Sequence, residues 1–431
     1  MALNPTVMQA VEQLGYRVTV ADVAARSGLN IEIANQGLLA LACEAGGHMQ
    51  VANSGDIVYL FPRNFRDILR KKYLWLQLQQ WWKKIWKVLF YLIRISFGIF
   101  LIVSIALIYI TIFIIIISGS SDRDSSDRFG DGGAGFFYFP DLFWYLSPNY
   151  DSYYQQRRQE QTKSDLNFFE AVFSFLFGDG NPNANLEERR WREIAAVIRN
   201  NQGAVVAEQI APYLDDIGEK YQQEYEDYML PVLTRFNGKP QVSPEGQIIY
   251  HFPELQLSVV KNRSRSIPPY LQEFPWRFSA ASSGQILLSA GLGAVNFIGA
   301  LILGSLLKTG TAAATLGGLV GFVQGFYWVL LGYGTGFLAI PLVRYFWIQH
   351  CNRKIAERNR QRQARAMVLA TPDTQLQQKI AYARQFAAEK VIGQEDLVYS
   401  TETDLLVQEF ENKAQIDAEW QKRLEQEGNK D

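Results

Sequence analysis

Cysteine, histidine and methionine are scarce in this chain of 431 residues: there are 2 Cys, 3 His and 5 Met. Cys43 and Cys351 lie on opposite sides of the hydrophobic regions, so no disulfide framework and no four-thiolate metal site can form within one chain. An iron–sulfur scaffold needs several thiolates in one pocket, and two are the whole supply. A net charge of −1 gives no overall bias towards an acidic or a basic partner. No nucleophile elbow, phosphate loop, dinucleotide fingerprint or zinc-protease motif occurs, so the residues offer no catalytic site and no cofactor site. No secretory or transit segment precedes Asn4-Pro5, which already reads as a helix start, and the expectation is a complete encoded form, as in a bacterium.

Hydrophobic runs and aromatic residues are plentiful. Ile95–Ile117 carries no formal charge, and at about 1.5 Å per residue it extends roughly 35 Å, enough to cross a hydrocarbon core of about 30 Å. Before it, residues 63–94 form a basic approach that includes Arg70, Lys71 and Lys72 with Trp75, Trp81, Trp82 and Trp86. Cationic residues suit an anionic cytoplasmic face and Trp suits the headgroup level, so these seven residues are read as membrane-interface anchors with the amino terminus inside.

Residues 1–62 predict three helices, Pro5–Leu14, Val20–Ser27 and Ile31–Ala45, then a strand pair turning at Asn53-Ser54-Gly55. That order is winged-helix-like. Gly47–Pro62 (GHMQVANSGDIVYLFP) aligns without gaps on Gly238–Pro253 (GKPQVSPEGQIIYHFP), with Gly, Gln, Val, Gly, Ile, Tyr, Phe and Pro matching in place. Glu187–Asn200, Val206–Leu214 and Tyr221–Phe236 read as the three helices of a second module spanning residues 185–257. Neither third helix is basic: the first has no Lys or Arg, and the second sets Glu224, Glu226 and Asp227 against Arg235 alone. Duplex DNA is bound largely through phosphate neutralisation, so nucleic acid is not expected as a partner and protein contact is.

Residues 118–184 read as a linker with two short apolar patches, Phe136–Leu146 and Phe168–Phe177, expected as interfacial segments or core helix. Asp179, Asn181 and Asn183 have calcium-loop spacing, but Ala184 and Arg190 stand where that loop needs Gly and Glu, so no metal is assigned. His48, His251 and His350 have no ligand partners at suitable spacing.

A Gly-rich hydrophobic block over residues 286–348 predicts a hairpin of two or three spans. Small residues at spacing four, Gly293, Asn296, Ala300 and Gly304 on one helix and Gly317, Gly321 and Gly325 on the next, predict close helix packing. Gly332–Ile348, broken by glycines and Pro341, reads either as an extra crossing or as a bent helix end. Three crossings separate the two termini; four bring them together but leave the second module outside, among Arg189, Arg190 and Arg192. Neither count satisfies every basic cluster. Residues 349–431 read as a solvated, charged helical tail able to dock on a partner.

The ordered set FFEAVFSFLFGDGNPN, VVAEQIAPYLD, PVLTRFNGKPQVSPEGQIIYHFP, GLGAVNFIGALILG, FLAIPLVRYF and VIGQEDLVYSTETD resembles a membrane-protein family of cyanobacteria and chloroplasts. Its plant members carry the name "iron-sulfur cluster biosynthesis family protein". The resemblance implies an oxygenic phototroph, a cyanobacterial thylakoid or plasma membrane and a multi-pass protein.

The expected fold is mainly α and integral to a membrane, with two winged-helix-like α+β modules and a transmembrane helical part. The expected function is a non-catalytic assembly or scaffolding factor for a photosynthetic membrane complex, in contact with lipids and with membrane or peripheral proteins. The alternatives are a small transporter or channel and a membrane-tethered factor in iron–sulfur cluster biogenesis.

Overall fold

Asn4 caps the first helix, α1 (Pro5–Gln13), by accepting a hydrogen bond from the Thr6 amide, and Pro5 fits the first turn because no N–H is needed there. Gly15 and Tyr16, both at positive φ, turn the chain into β1 (Arg17–Thr19). Thr19 and Asp22 cap the start of α2 (Val20–Ser27) reciprocally, and Gly28 ends it in the left-handed conformation. Asn30 caps α3 (Ile31–Ala45), and the hairpin β2 (His48–Ala52) and β3 (Ile57–Leu60) follows. α4 (Phe65–Lys72) then leads to the long α5 (Leu74–Ser120). This is a computed structural model, and it describes residues 3–72, 74–120, 166–215, 217–218, 225–260, 266–309, 317–410, 413, 417, 420 and 421.

After α6 (Phe168–Phe177) the same order returns. α7 (Leu186–Asn200), β4 (Ala204–Val205), and α8 (Ala207–Ile210) with its 3₁₀ extension come first. α9 (Leu230–Phe236) and the hairpin β5 (Lys239–Val242) and β6 (Ile248–His251) complete it. The register is the same residue for residue. Arg17 and His48 flank Leu60 in one sheet, and Ala204 and Lys239 flank His251 in the other. The Phe61 amide donates to Tyr16 O at 2.8 Å, and its counterpart Phe252 to Gly203 O at 2.7 Å. A Cβ on Gly47 would meet the Phe61 ring, and one on Gly238 the Phe252 ring, which explains the matching Gly and Phe by one close approach. Of the expected third helix Tyr221–Phe236, residues 221–224 lie outside the described residues; the remainder is shorter than expected, α9 beginning at Leu230 after Glu226 takes a left-handed φ of 54° and with Pro231 in its first turn.

The chain continues through β7 (Leu257–Ser258), α10 (Ser283–Thr309), α11 (Gly318–Ala370), α12 (Thr374–Ala383), β8 (Lys390–Val391) and β9 (Leu397–Ser400). It divides into two compact units. One combines Met1–Gln79, Asn183–Phe274 and Ile355–Asp431; the other combines Gln80–Pro182 and Pro275–Lys354. The protein is mainly helical with small sheets.

In the first unit one apolar core runs through both copies, with Val7, Leu38 and Phe61 from one and Ile194, Phe236 and Phe252 from the other. α2 lies on α7, where a Cβ on Gly28 would fall 2.9 Å from Trp191 Cβ. Residues 355–400 are built into this unit, which corrects the expectation of a solvated tail over that part. β9 extends the first sheet to the order β1-β3-β2-β9, β8 pairs in parallel with β7, and Ile392 is buried. The basic residues become structural because carboxylates of the same unit receive them: Arg362 meets Asp215 and Glu273, Lys379 meets Glu208 and Glu226, and Lys390 meets Asp56.

In the second unit α5, α10 and α11 are long and apolar enough to cross a membrane. α5 and α10 run parallel, as Leu101 packing with Leu292, Ser104 bonding Asn296, and Ile108 beside Gly299 show. α11 runs antiparallel to both. It is one unbroken helix through Pro341, so Gly332–Ile348 makes no separate crossing. α6 is a packed helix with Ala171, Val172, Phe175 and Leu176 buried, and Gly98 of α5 lets Phe169 approach. Phe136–Leu146 lies outside the described residues.

Candidate functional site

Where the two copies meet, the first unit has a cleft of about 540 Å³. The first copy contributes Asn30, Glu32 and Asn35 at the start of α3 and the hairpin turn around Asp56; the second contributes Asn237 and Glu254. No Lys or Arg is among its lining residues. Asn30 caps α3 with its oxygen and donates its amide to Thr234 O at 3.3 Å, so one side chain both starts the helix and ties the copies. Asn237, at the left-handed end of α9, donates to Glu254 Oε1 at 2.5 Å, and the Tyr59 hydroxyl donates to Asn35 at 3.3 Å. Burial raises the Tyr59 hydroxyl. Burial also works to raise Asp56, but hydrogen bonds from Lys390, at 2.7 Å, and Ser54 outweigh it and hold the carboxyl below its ordinary range. Beside the cleft, α3 exposes Glu32, Ile33, Gln36, Leu39 and Cys43, a mixed apolar and acidic strip. The chemistry this arrangement offers is recognition of cationic and amide-bearing groups; it brings together no nucleophile with a base.

The two copies are held in register by Asp22. Buried at the start of α2, it receives Arg199 of α7 at 2.6 Å, Ser258 Oγ at 3.0 Å and the Val259 amide at 3.2 Å. Arg235 stacks over Trp191, 4.3 Å from the ring centre, and donates to Gly28 O at 2.8 Å. The C-terminal segment adds two ion-pair clusters. Arg362 joins Asp215 and Glu273, with Arg190 and Arg358 on the outer sides of the same carboxylates. Lys379 of α12 joins Glu208 and Glu226, and the Tyr250 hydroxyl donates to Glu226. Burial, reinforced by the adjacent Glu226, pushes the Tyr250 hydroxyl far up, so it stays protonated. The sequence reading missed the arginine cluster. Its signal was the spacing of Arg358, Arg362 and Arg365, which share one helix face.

Arg70, Lys71 and Lys72 end α4, Trp75 lies in the first turn of α5, and Trp81, Trp82 and Trp86 are exposed on α5. The two predicted small-residue stripes do not face each other. Gly293 sits under Phe337 and Gly304 under Tyr327, Ala300 is buried, and Asn296 donates to Ser104 with Gly334 beside it. Gly317, Gly321 and Gly325 have open space at their Cβ positions. The close approach is therefore small residue against aromatic ring, because a ring fills the hollow that two opposed glycines would leave.

Among the described residues no group of three His, Cys, Asp or Glu side chains could hold a metal. Asp179 of the calcium-like spacing accepts from Ser174 Oγ at 2.6 Å and from the Ala280 amide at 2.7 Å, and pairs with Arg94 at 3.2 Å. Asn183 bonds both backbone groups of Phe274. His48 and His251 sit in strands β2 and β6, and His350 in α11.

Fold and site define a mainly helical protein in which a duplicated helix–strand–helix–helix–hairpin unit accompanies three helices long and apolar enough to cross a membrane. No known family profile matches the chain, and no solved structure does. A protein of Arabidopsis thaliana described as "Uncharacterized protein At5g03900, chloroplastic" is 38% identical over 435 residues, which cover 97% of this chain and 82% of that protein. The chain belongs to the family of this chloroplastic protein. That description carries no iron–sulfur term.

Proposed function

We propose that this protein is a non-catalytic, membrane-anchored assembly or scaffolding factor for a photosynthetic membrane complex, working through protein–protein contacts. In this reading the two copies are winged-helix-like modules, the protein is integral and multi-pass, and its home is a thylakoid or plasma membrane of a cyanobacterium. The observation that carries the proposal is the cleft between the copies, lined by carboxylates and amides with no Lys or Arg. Such a surface suits basic polypeptide and repels nucleic acid. Membrane insertion is supported by Trp328 and Trp347, both exposed on α11 and separated by roughly 28 Å of helix, close to the hydrocarbon thickness of about 30 Å. The chloroplastic relative supports a photosynthetic setting.

The test is crosslinking and mass spectrometry in native membranes, comparing the parent with a Glu32→Lys, Glu254→Lys variant. Reproducible crosslinks around the cleft, lost in the variant, are expected. Absence of any reproducible partner would refute the proposal.

One observation favours a second reading, a small transporter or channel: Asn296 is fully buried among the three apolar helices, and its Oδ1 has no hydrogen-bond partner among the described residues. Solute flux in reconstituted vesicles, abolished by Asn296→Leu, would establish that reading instead. The iron–sulfur role implied by the family resemblance is decided by the absorption spectrum of protein purified without air.

A further inference from the structure

The path of the chain through the second unit sets its sidedness. α5 and α10 are parallel, so the chain must return to the starting end of the bundle between them. It has done so by Leu166. The Leu166 carbonyl accepts a hydrogen bond from Gln285 at the start of α10 at 2.8 Å, and Phe169 lies against Gly98 in the first part of the apolar stretch of α5. Ser120, at the other end of α5, is roughly 33 Å of helix beyond Gly98. The ends of the second unit's two segments, Gln80 and Pro182, Pro275 and Lys354, also lie at the starting end. Arg94 pairs with Asp179 just before the chain leaves at Pro182, and the Trp276 amide donates to Asn352 at 2.8 Å where the chain enters at Pro275 and leaves at Lys354. Arg344 donates to the carbonyls of Ser174 and Phe175 at the same level.

Given the membrane reading above, on which this rests, we infer that the chain at Leu166 is back on the side of the bilayer from which α5 starts, and that α11 returns it there again after α10. Both copies, the basic Trp-rich approach and the C-terminal segment then share one face. The cluster of Arg189, Arg190 and Arg192 joins the basic residues of 63–94 and 353–365 there, so all three obey the positive-inside tendency at once. No count of crossings read from hydropathy alone achieves this. The consequence for function is that a polypeptide bound at the cleft comes from the cytoplasmic face, or from the equivalent stromal face in a chloroplast.

The test uses the full chain in sealed vesicles of both orientations, with a membrane-impermeant maleimide. Reporters are native Cys43 and single cysteines from Glu245→Cys in the second hairpin turn, Glu402→Cys after β9, and Lys308→Cys at the far end of α10; the last three are made on a Cys43→Ser, Cys351→Ser background. Cys43, position 245 and position 402 should label from the same face, with loss of labelling when the vesicles are inverted, and position 308 should show the opposite pattern. Trypsin protection of the unmodified protein gives the same information without substitution. Position 245 labelling from the face opposite to Cys43, in protein that stays in the membrane through carbonate washing, overturns the topology alone. Release of the protein by carbonate overturns the membrane reading and the topology with it.

Discussion

Arg362→Met tests whether the C-terminal residues are part of the folded unit. The guanidinium is fully buried and donates to the Leu271 carbonyl at 2.9 Å, to Glu273 at 2.7 Å and to Asp215. Met keeps most of the apolar stem and removes the charge. Deleting one member of a buried pair costs about 3–5 kcal/mol, because its partner is left charged in low dielectric. Here Glu273 keeps Arg358 at 2.5 Å and Asp215 keeps Arg190, so the expected cost lies at the lower end, about 3 kcal/mol. In a unit of this size that lowers the midpoint of thermal unfolding by about 6–12 °C.

The same variant changes the acid limb. Burial works to raise the Glu273 and Asp215 carboxyls, but Arg358, Arg362 and Arg190 outweigh it and hold both below their ordinary range. A carboxyl with a depressed folded pKa adds stability above its unfolded pKa and loses it as pH falls through the folded value. The parent should therefore weaken only below about pH 4, and Arg362→Met, whose carboxyls have lost a depressing partner, should lose less stability on acidification, so that the gap between variant and parent narrows as pH falls. Adding Asp215→Asn and Glu273→Gln should restore most of the loss, since the stranded charges go with it. The assay is circular dichroism of the full chain in mild detergent. An Arg362→Met midpoint equivalent to within about 0.5 kcal/mol of the parent, with the acid limb unmoved, would refute the reasoning.

Tyr399→Pro removes the backbone donor opposite Val51 and should free β9 from β2, producing a larger species in size-exclusion chromatography as the bared edge pairs between molecules; a purely monomeric profile would count against it. Gly293→Leu and Gly304→Leu should each destabilise the helical unit by about 1–3 kcal/mol by driving against Phe337 and Tyr327, whereas Gly321→Ala and Gly325→Ala should be neutral or gain about 0.5–1 kcal/mol, all read by thermal unfolding in detergent. Asn296→Leu and Ser104→Ala should show a coupling of about 0.6 kcal/mol in a double-mutant cycle, and strict additivity would place the two side chains out of contact.

What could be read from the sequence is what short-range chemistry determines. The bounds of the helices Val20–Ser27 and Ile31–Ala45 and the Asn53-Ser54-Gly55 turn are set over a few residues, and all three stand in the structure where the sequence places them. What could not be read depends on partners far along the chain. Arg362 carries the same sequence signal as a solvated arginine until Glu273 and Asp215 are brought to it, and Leu397–Ser400 is an isolated strand signal until β2 offers an edge. Of the two Gly stripes only the first packs closely, because spacing within one helix cannot say which residue of another fills the hollow.

The two copies also show why a repeat can be equal in fold and unequal in use. Met49 and Asn53 turn their backbone groups away from β3 and towards the C-terminal strand: Met49 O accepts the Thr401 amide at 2.9 Å, and the Asn53 amide donates to Asp396 O at 2.8 Å. In the aligned second copy those two positions are Pro240 and Pro244, which have no N–H to give. β5 ends its sheet, with no strand beyond it among the described residues. One hairpin is thus chemically open to strand addition and is filled by the chain itself, and the other is closed to it by composition. Strand addition at β5 is therefore disfavoured. In the proposed scaffolding role recognition would rest on side chains, and the cleft between the copies is where carboxylates and amides of both converge.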